Sequence, residues 1–135
     1  MFNSKKKNAA RQIGKMLTAS GLLKTAMADD RDAVTAILFG DATTDEEIWS
    51  ALQVFIMTAH KHPAVIERLR EIQPQILDKA DETFTTAIRA ATQGDPRLFR
   101  GENPTGQALL IYYLAGAIAE LPEAMADVMV SYLPE

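Results

Sequence analysis

The chain contains no cysteine, and that absence excludes several kinds of chemistry. Disulfides, cysteine-ligated zinc, iron–sulfur clusters and thiol nucleophiles all require a cysteine side chain. A chain without cysteine suits a reducing compartment, so we expect a cytoplasmic protein.

Histidine is also scarce. His60 and His62 are the only two, one residue apart, and no obvious third ligand stands beside them in the sequence. A metal site is therefore not predicted, because a zinc centre needs at least three protein ligands. Both histidines suit the end of one helix and the start of the next, where the free backbone groups favour such residues.

Sequence motifs of catalysis are missing as well. The chain has no phosphate loop, dinucleotide fingerprint, calcium loop or nucleophile elbow. Its carboxylates stand mostly where helices are expected to begin, which the helix dipole already explains. These absences predict a protein that is not an enzyme and needs no cofactor.

Long hydrophobic runs are absent too. The longest apolar run, residues 108–119, has 12 residues, whereas a membrane-spanning helix needs about 20. Lys15 and Lys24 interrupt the stretch that would have to serve as the apolar part of a signal peptide. Neither a spanning helix nor a signal peptide is predicted.

Charge is unevenly placed along the chain. Residues 1–28 carry six lysine or arginine residues and no acid, whereas residues 29–135 hold the other eight basic residues and all 18 acids. The net charge of −4 therefore hides a basic amino terminus on an acidic body. We expect residues 1–8 to form a flexible basic tail and residues 9–135 to form a single helical domain.

Periodicity and helix signals predict an all-α fold, a compact domain of six to seven helices in an orthogonal or bundle-like arrangement. The Asp29–Asp30 pair and the Thr44–Glu47 pair have the form of amino-terminal caps. Four prolines each suit the first turn of a helix: Pro63, Pro74, Pro104 and Pro122. The helix after Pro104 is apolar almost all round, so we expect it at the centre of the core.

The first helix, residues 9–28, shows an apolar stripe on one side. Seven residues fall on this stripe at helical spacing: Ala9, Ile13, Met16, Leu17, Ser20, Leu23 and Met27. Arg11 and Lys15 lie opposite. We expect the stripe to pack on the core, and we expect Gly14 and Gly21 to weaken or divide the helix.

The loop at residues 94–106 holds three glycines, two prolines and two arginines, and it leads into the most apolar helix. The free amides and the dipole at that helix start favour an anion or an acidic side chain. Four residues are the candidate contacts: Arg97, Arg100, Asn103 and Thr105. The alternative is that Asn103 only caps the helix and that the arginines pair with neighbouring acids.

The last helix, after Pro122, carries methionine and tyrosine side chains that a partner would cover. Met125, Met129 and Tyr132 are the candidate interface residues. Six helices with wide apolar faces have more apolar surface than one small core buries. We expect this surplus to form a protein-binding surface, with a homodimer as the expected assembly.

These features favour a non-enzymatic helical protein–protein interaction module, such as an adaptor, a chaperone or a regulatory subunit, that associates with itself. One alternative is a protein that binds a small ligand or an anion, with or without catalysis, in a pocket near residues 94–106. Another is association with a membrane surface or nucleic acid through the basic first helix. Nucleic acid is the less favoured of these two because the rest of the chain is acidic.

Overall fold

A computed structural model of the chain describes residues 2–40, 43–72, 78–99 and 104–132. Within those ranges the backbone forms seven α-helices, one 3₁₀ turn and no strand, which confirms the predicted all-α fold. The helices are α1 (Phe2–Met27), α2 (Arg31–Phe39), α3 (Asp45–Lys61), α4 (Pro63–Ile72), α5 (Asp78–Gln93), α6 (Pro104–Ala119) and α7 (Pro122–Val130).

Two helices begin at the caps that the sequence predicts. The Asp30 side chain accepts a hydrogen bond from the Ala33 amide at the start of α2. At the start of α3, the Thr44 side chain accepts from the Glu47 amide, and the Glu47 carboxylate accepts from the Thr44 amide. These bonds satisfy amides that have no partner within the helix itself.

Proline positions account for three further helix starts. Pro63, Pro104 and Pro122 are the first residues of α4, α6 and α7, because a fixed backbone angle and a missing amide suit that position. The predicted start at Pro74 lies outside the described residues. The 3₁₀ turn at Pro96–Phe99 lies where the sequence suggests a single helical turn, and it buries Phe99.

Helix α6 lies at the centre of the core, as predicted. It contacts α1, α3, α4, α5 and α7. Six of its side chains are buried: Leu110, Ile111, Leu114, Ala115, Ala117 and Ile118. On the α5 side, the Tyr113 ring meets Phe84 edge-on, with centroids 5.1 Å apart. The helix is apolar almost all round because other helices surround it.

Both histidines lie at the end of α3, as predicted. The His60 Nδ1 atom is 3.0 Å from the Ala91 carbonyl oxygen. Gly94, in the turn after α5, has a φ of +66°, and a Cβ there would approach the His60 ring to 3.0 Å, so both conformation and space require glycine. His62 follows the last residue of α3, and its Nε2 pairs with Asp127 of α7.

The first helix is longer than predicted. It runs without a break from Phe2 to Met27, through Gly14 and Gly21. The predicted division at residue 8 therefore does not coincide with a helix boundary, and the division into a tail and a domain stays a prediction.

The orientation of α1 also differs from the prediction. Ile13, Leu17 and Met27, which belong to the predicted core-facing stripe, are 52%, 62% and 62% exposed. Leu23 of the predicted stripe is buried as expected, and three further buried residues of α1 lie outside that stripe: Thr18, Ala19 and Leu22. The prediction that the stripe packs on the core is wrong for Ile13, Leu17 and Met27, and the reason lies in the contacts of α1 with α2 and α3.

Candidate interaction surface

The outward side of α1 is the first of two apolar surfaces. Ile13 and Leu17 are one helical turn apart, and Met27 lies on the same side near the end of the helix. We call these three residues the outer stripe. Single exposed apolar side chains are ordinary in soluble proteins, but three along one side of a helix form a surface that a partner would cover.

Small residues lie where α1 packs on α2 and α3. Four of them recur there at helical spacing: Gly14, Thr18, Gly21 and Thr25. A Cβ on Gly14 would lie 3.1 Å from a Glu47 carboxylate oxygen, and one on Gly21 would lie 3.4 Å from the Ile37 Cδ1. These close contacts and the burial of Leu22 and Leu23 place that part of α1 against its neighbours, and the outer stripe lies in solvent.

Glu47 joins α1 to α3 through hydrogen bonds. Its Oε1 accepts from the Thr44 hydroxyl at 2.8 Å. Its Oε2 lies 3.0 Å from the Thr18 hydroxyl, whose single proton is shared with the Gly14 carbonyl oxygen at the same distance. The hydrogen bond from the Thr44 side chain is the main cause that lowers the pKa of Glu47, and the Thr18 hydroxyl adds a smaller contribution in the same direction.

Basic side chains lie around α1, with Lys24 on the side of the outer stripe and Arg11 and Lys15 opposite to it. Arg11 and Lys24 are exposed, and Lys15 reaches Glu46 of α3 at 3.4 Å. The first 28 residues contain no acid that would offset this charge. With its net positive charge and its exposed apolar stripe, α1 as a whole suits a partner surface that is both apolar and acidic.

A groove between α4 and α6 is the second apolar surface, and the carboxyl end of α1 borders it. Two cavities of about 420 and 560 Å³ lie along it, with Arg68, Ala117 and Glu120 lining both. We call this combined depression the α4–α6 groove. A Cβ on Gly116 would meet nothing within 4 Å, so open space reaches the backbone of α6.

Arg68 lies where the two cavities meet. Its Nη1 donates to a Glu71 carboxylate oxygen at 3.1 Å. Its buried Nε is 2.9 Å from the Glu120 carboxylate, an ion pair whose N–H direction falls short of hydrogen-bond geometry. The hydrogen bond with Glu71, followed by the charge of Glu120, raises the pKa of Arg68. Its charge is therefore already balanced within the groove.

Acidic residues outnumber basic ones along the groove. Four carboxylates line it: Asp29, Glu67, Glu71 and Glu120. Arg68 is the single basic side chain in the lining that the structure describes. The rest of the lining is mainly apolar, including Ile72, Tyr112 and Leu121. A cationic, apolar segment complements such a surface.

The candidate anion contacts at residues 94–106 are described only in part. Arg97 is exposed, and its Nε and its backbone amide both donate to Asp95, at 3.0 and 3.1 Å. This pairing agrees with the alternative prediction that the arginines pair with neighbouring acids, and it lowers the pKa of Asp95. Arg100, Asn103 and the side chain of Thr105 lie outside what the structure describes, so anion binding here stays a prediction.

The predicted interface on the last helix is partly buried. Tyr132 is 4% exposed, and its hydroxyl oxygen lies 3.3 Å from the Ser50 hydroxyl oxygen of α3. Tyr132 is a core residue, because the chain after α7 packs back on α3, and it does not present its side chain to a partner. Met125 and Met129 are half-buried, while Val130 is 61% exposed.

The part of the chain that the structure describes contains no cluster of three or more His, Asp or Glu residues suited to a metal ion. None of its helices combines the length and the hydropathy that crossing a bilayer requires. No protein-family model, curated protein or solved structure matches this chain. The outer stripe and the α4–α6 groove are the two candidate functional surfaces.

The sequence predicted a possible function for the basic first helix, but it predicted neither the outer stripe nor the α4–α6 groove as a binding surface. One signal for the outer stripe is present in the sequence, since the small residues at positions 14, 18, 21 and 25 mark a side of close approach. The groove has no local signal of that kind. Its lining comes from α1, α4 and α6, which are far apart along the chain.

Proposed function

We propose that the protein is a non-enzymatic helical interaction module that associates with itself through the outer stripe of α1. One observation carries the proposal: Ile13 and Leu17 are more than half exposed on a helix whose other side is packed on α2, α3 and α6. Two large apolar side chains one helical turn apart in solvent form a surface whose burial by a partner would be favourable.

The size of the outer stripe suits a reversible complex. Covering one isoleucine, leucine or methionine side chain completely contributes about 1.5–3 kcal/mol. Association also restricts translation, rotation and side-chain motion, and this offsets part of the gain. Three such side chains therefore support a dimer that dissociates on dilution rather than a permanent one.

Sedimentation velocity over a concentration series tests this proposal. Wild-type protein should change from monomer to dimer as its concentration rises. The Ile13→Ser/Leu17→Ser variant should stay monomeric over the same range, because the apolar contact is lost. A monomeric wild-type protein at every concentration would refute self-association.

A matched control separates the outer stripe from apolar surface in general. Phe39 and Val130 are 60% and 61% exposed, similar to Ile13 and Leu17, but lie on α2 and α7. The Phe39→Ser/Val130→Ser variant should dimerise as the wild type does. If it loses association to the same extent, the outer stripe has no special role.

Binding to an anionic membrane surface is a second candidate function. The observation in its favour is that outward apolar side chains coincide with a helix that has no acid, the pattern of helices that lie on bilayers. It is the weaker candidate because all 18 acids belong to the remainder of the chain, which an anionic surface repels.

Vesicle flotation tests this second candidate. Vesicles of phosphatidylcholine alone serve as the control for vesicles that also contain phosphatidylserine. Membrane binding predicts flotation only with phosphatidylserine, weakened by salt and lost in the Ile13→Ser/Leu17→Ser variant. Equal absence of flotation with both vesicle types would rule it out.

A further inference from the structure

We infer that the α4–α6 groove binds the α1 helix of a second copy of this chain. The inference rests on the self-association proposed above. It adds the surface on which the outer stripe of one copy is bound by the other.

Charge is the first argument for this occupant. The groove is lined by Asp29, Glu67, Glu71 and Glu120, and Arg68 is already paired with two of them. The α1 helix carries the opposite charge together with exposed apolar side chains. An amphipathic helix that lays its apolar side into an apolar groove with complementary charges at the rim is a common mode of recognition.

Space is the second argument. Gly116 and Ala117 leave the α6 backbone open to the groove, and the two cavities extend along it with volumes of about 420 and 560 Å³. Small residues at a contact let two helices approach closely, and large side chains of the incoming helix then fill the spaces beside them. Ile13 and Leu17 are the large side chains that α1 offers for those spaces.

The length of α1 excludes docking within one copy. Ala26 and Met27, at the carboxyl end of α1, line the groove of their own chain. Leu17 and Ile13 lie further back along the same unbroken helix, about 15 and 21 Å from Met27 at the usual rise per residue. The helix does not fold back on itself, so the occupant comes from another copy. In a dimer with two-fold symmetry, the α1 helix of each copy would dock in the α4–α6 groove of the other copy.

Paramagnetic relaxation enhancement locates the contact directly. Because the chain has no cysteine, the Gln12→Cys variant carries one nitroxide label, at an exposed position beside the outer stripe. Labelled chains are mixed with ¹⁵N-labelled wild-type chains at a concentration where the protein is dimeric. Broadening of amide signals from residues 64–72 and 112–121 of the second copy is the expected result.

Other outcomes of this experiment are equally informative. Broadening centred on α1 of the second copy would mean that two α1 helices pair with each other, which overturns the groove inference and leaves the proposed function intact. Broadening elsewhere, or none in a sample that sediments as a dimer, would overturn the inference as well. A protein that never dimerises would overturn both.

Gly116 offers an independent test with a matched control. Gly116→Gln places a long polar side chain in the groove, whereas Gly116→Ala adds only a methyl group where nothing lies within 4 Å. Both substitutions favour a helix, so neither variant should melt below the wild type. We expect Gly116→Gln to raise the dimer dissociation constant by about tenfold or more and Gly116→Ala to leave it nearly unchanged. An unchanged constant in Gly116→Gln would contradict the inference.

Discussion

Helices α1 and α6 both carry large apolar residues, but they pack differently. Five other helices contact α6, and its Leu110, Ile111 and Leu114 are fully buried. In α1, Leu22 and Leu23 are buried, whereas Ile13, Leu17 and Met27 form the exposed outer stripe. The difference shows that a helix with large apolar residues on several sides buries only those that its neighbours cover, whereas a helix surrounded by neighbours buries nearly all of them.

Leucine truncation in the two helices gives the largest expected contrast. Leu110→Ala should lower the free energy of unfolding by about 2–5 kcal/mol, because it leaves a cavity in the core. Leu17→Ala should change it by no more than about 0.5 kcal/mol, since that side chain is largely in solvent. Urea denaturation at low protein concentration measures both without a contribution from association. A large loss at Leu17 would mean that the stripe packs on the core.

The link between α1 and α3 should have an intermediate effect. Glu47→Ala removes the capping box and the contact with Thr18, and it should lower the free energy of unfolding by about 1–2 kcal/mol. Glu46→Ala is the control, because it removes only an ion pair on a mostly exposed side chain, an interaction that usually contributes about 0–1 kcal/mol. Equal losses would show that Glu47 does not fix the orientation of α1.

Substitution of Tyr132 tests whether this side chain belongs to the core or to an interface. Tyr132→Phe keeps the buried ring but removes the hydrogen bond with Ser50, so we expect a loss of about 0.5–1.5 kcal/mol. A double-mutant cycle with Ser50→Ala isolates the contribution of the pair. Dimerisation should be unchanged, because the hydroxyl faces α3. Loss of the dimer in Tyr132→Phe would restore this residue to the interface.

The pH dependence of stability gives the smallest expected effect. The folded-state pKa of Glu47 lies below its ordinary value near 4.5. Its contribution to stability is therefore complete above that ordinary value and is lost as the pH falls through the folded-state pKa. The difference in the free energy of unfolding between wild type and Glu47→Gln should shrink from about pH 6 to about pH 3. If this difference in the free energy of unfolding did not change with pH, the charge of Glu47 would have no role in stability.

Helix boundaries were predictable because caps act within a few residues. Asp30, the Thr44–Glu47 pair and Pro63 each interact with backbone groups of their own helix, so their effect does not depend on the rest of the fold. The central position of α6 was predictable for a related reason. A helix with almost no polar side has to be surrounded by other helices.

The orientation of α1 was not predictable from periodicity, because two sides of that helix are suited to packing. From the sequence, Gly14 and Gly21 are expected to weaken or divide the helix. In the fold, the helix continues through both, and they lie close to the side chains of Glu47 and Ile37. Their partners lie on other helices, so no local pattern reveals the contact. The burial of Tyr132 depends in the same way on a distant residue of α3.

Thiol labelling tests most directly whether α1 turns its outer stripe to solvent. In a chain without cysteine, Leu17→Cys and Leu22→Cys each place one thiol on opposite sides of the same helix. At low protein concentration, Leu17→Cys should react with a thiol reagent nearly as fast as the unfolded chain, and it should slow when wild-type protein is added. Leu22→Cys should react at least about 100-fold more slowly, because its thiol is exposed only on unfolding. Slow labelling at position 17 and fast labelling at position 22 would contradict the account.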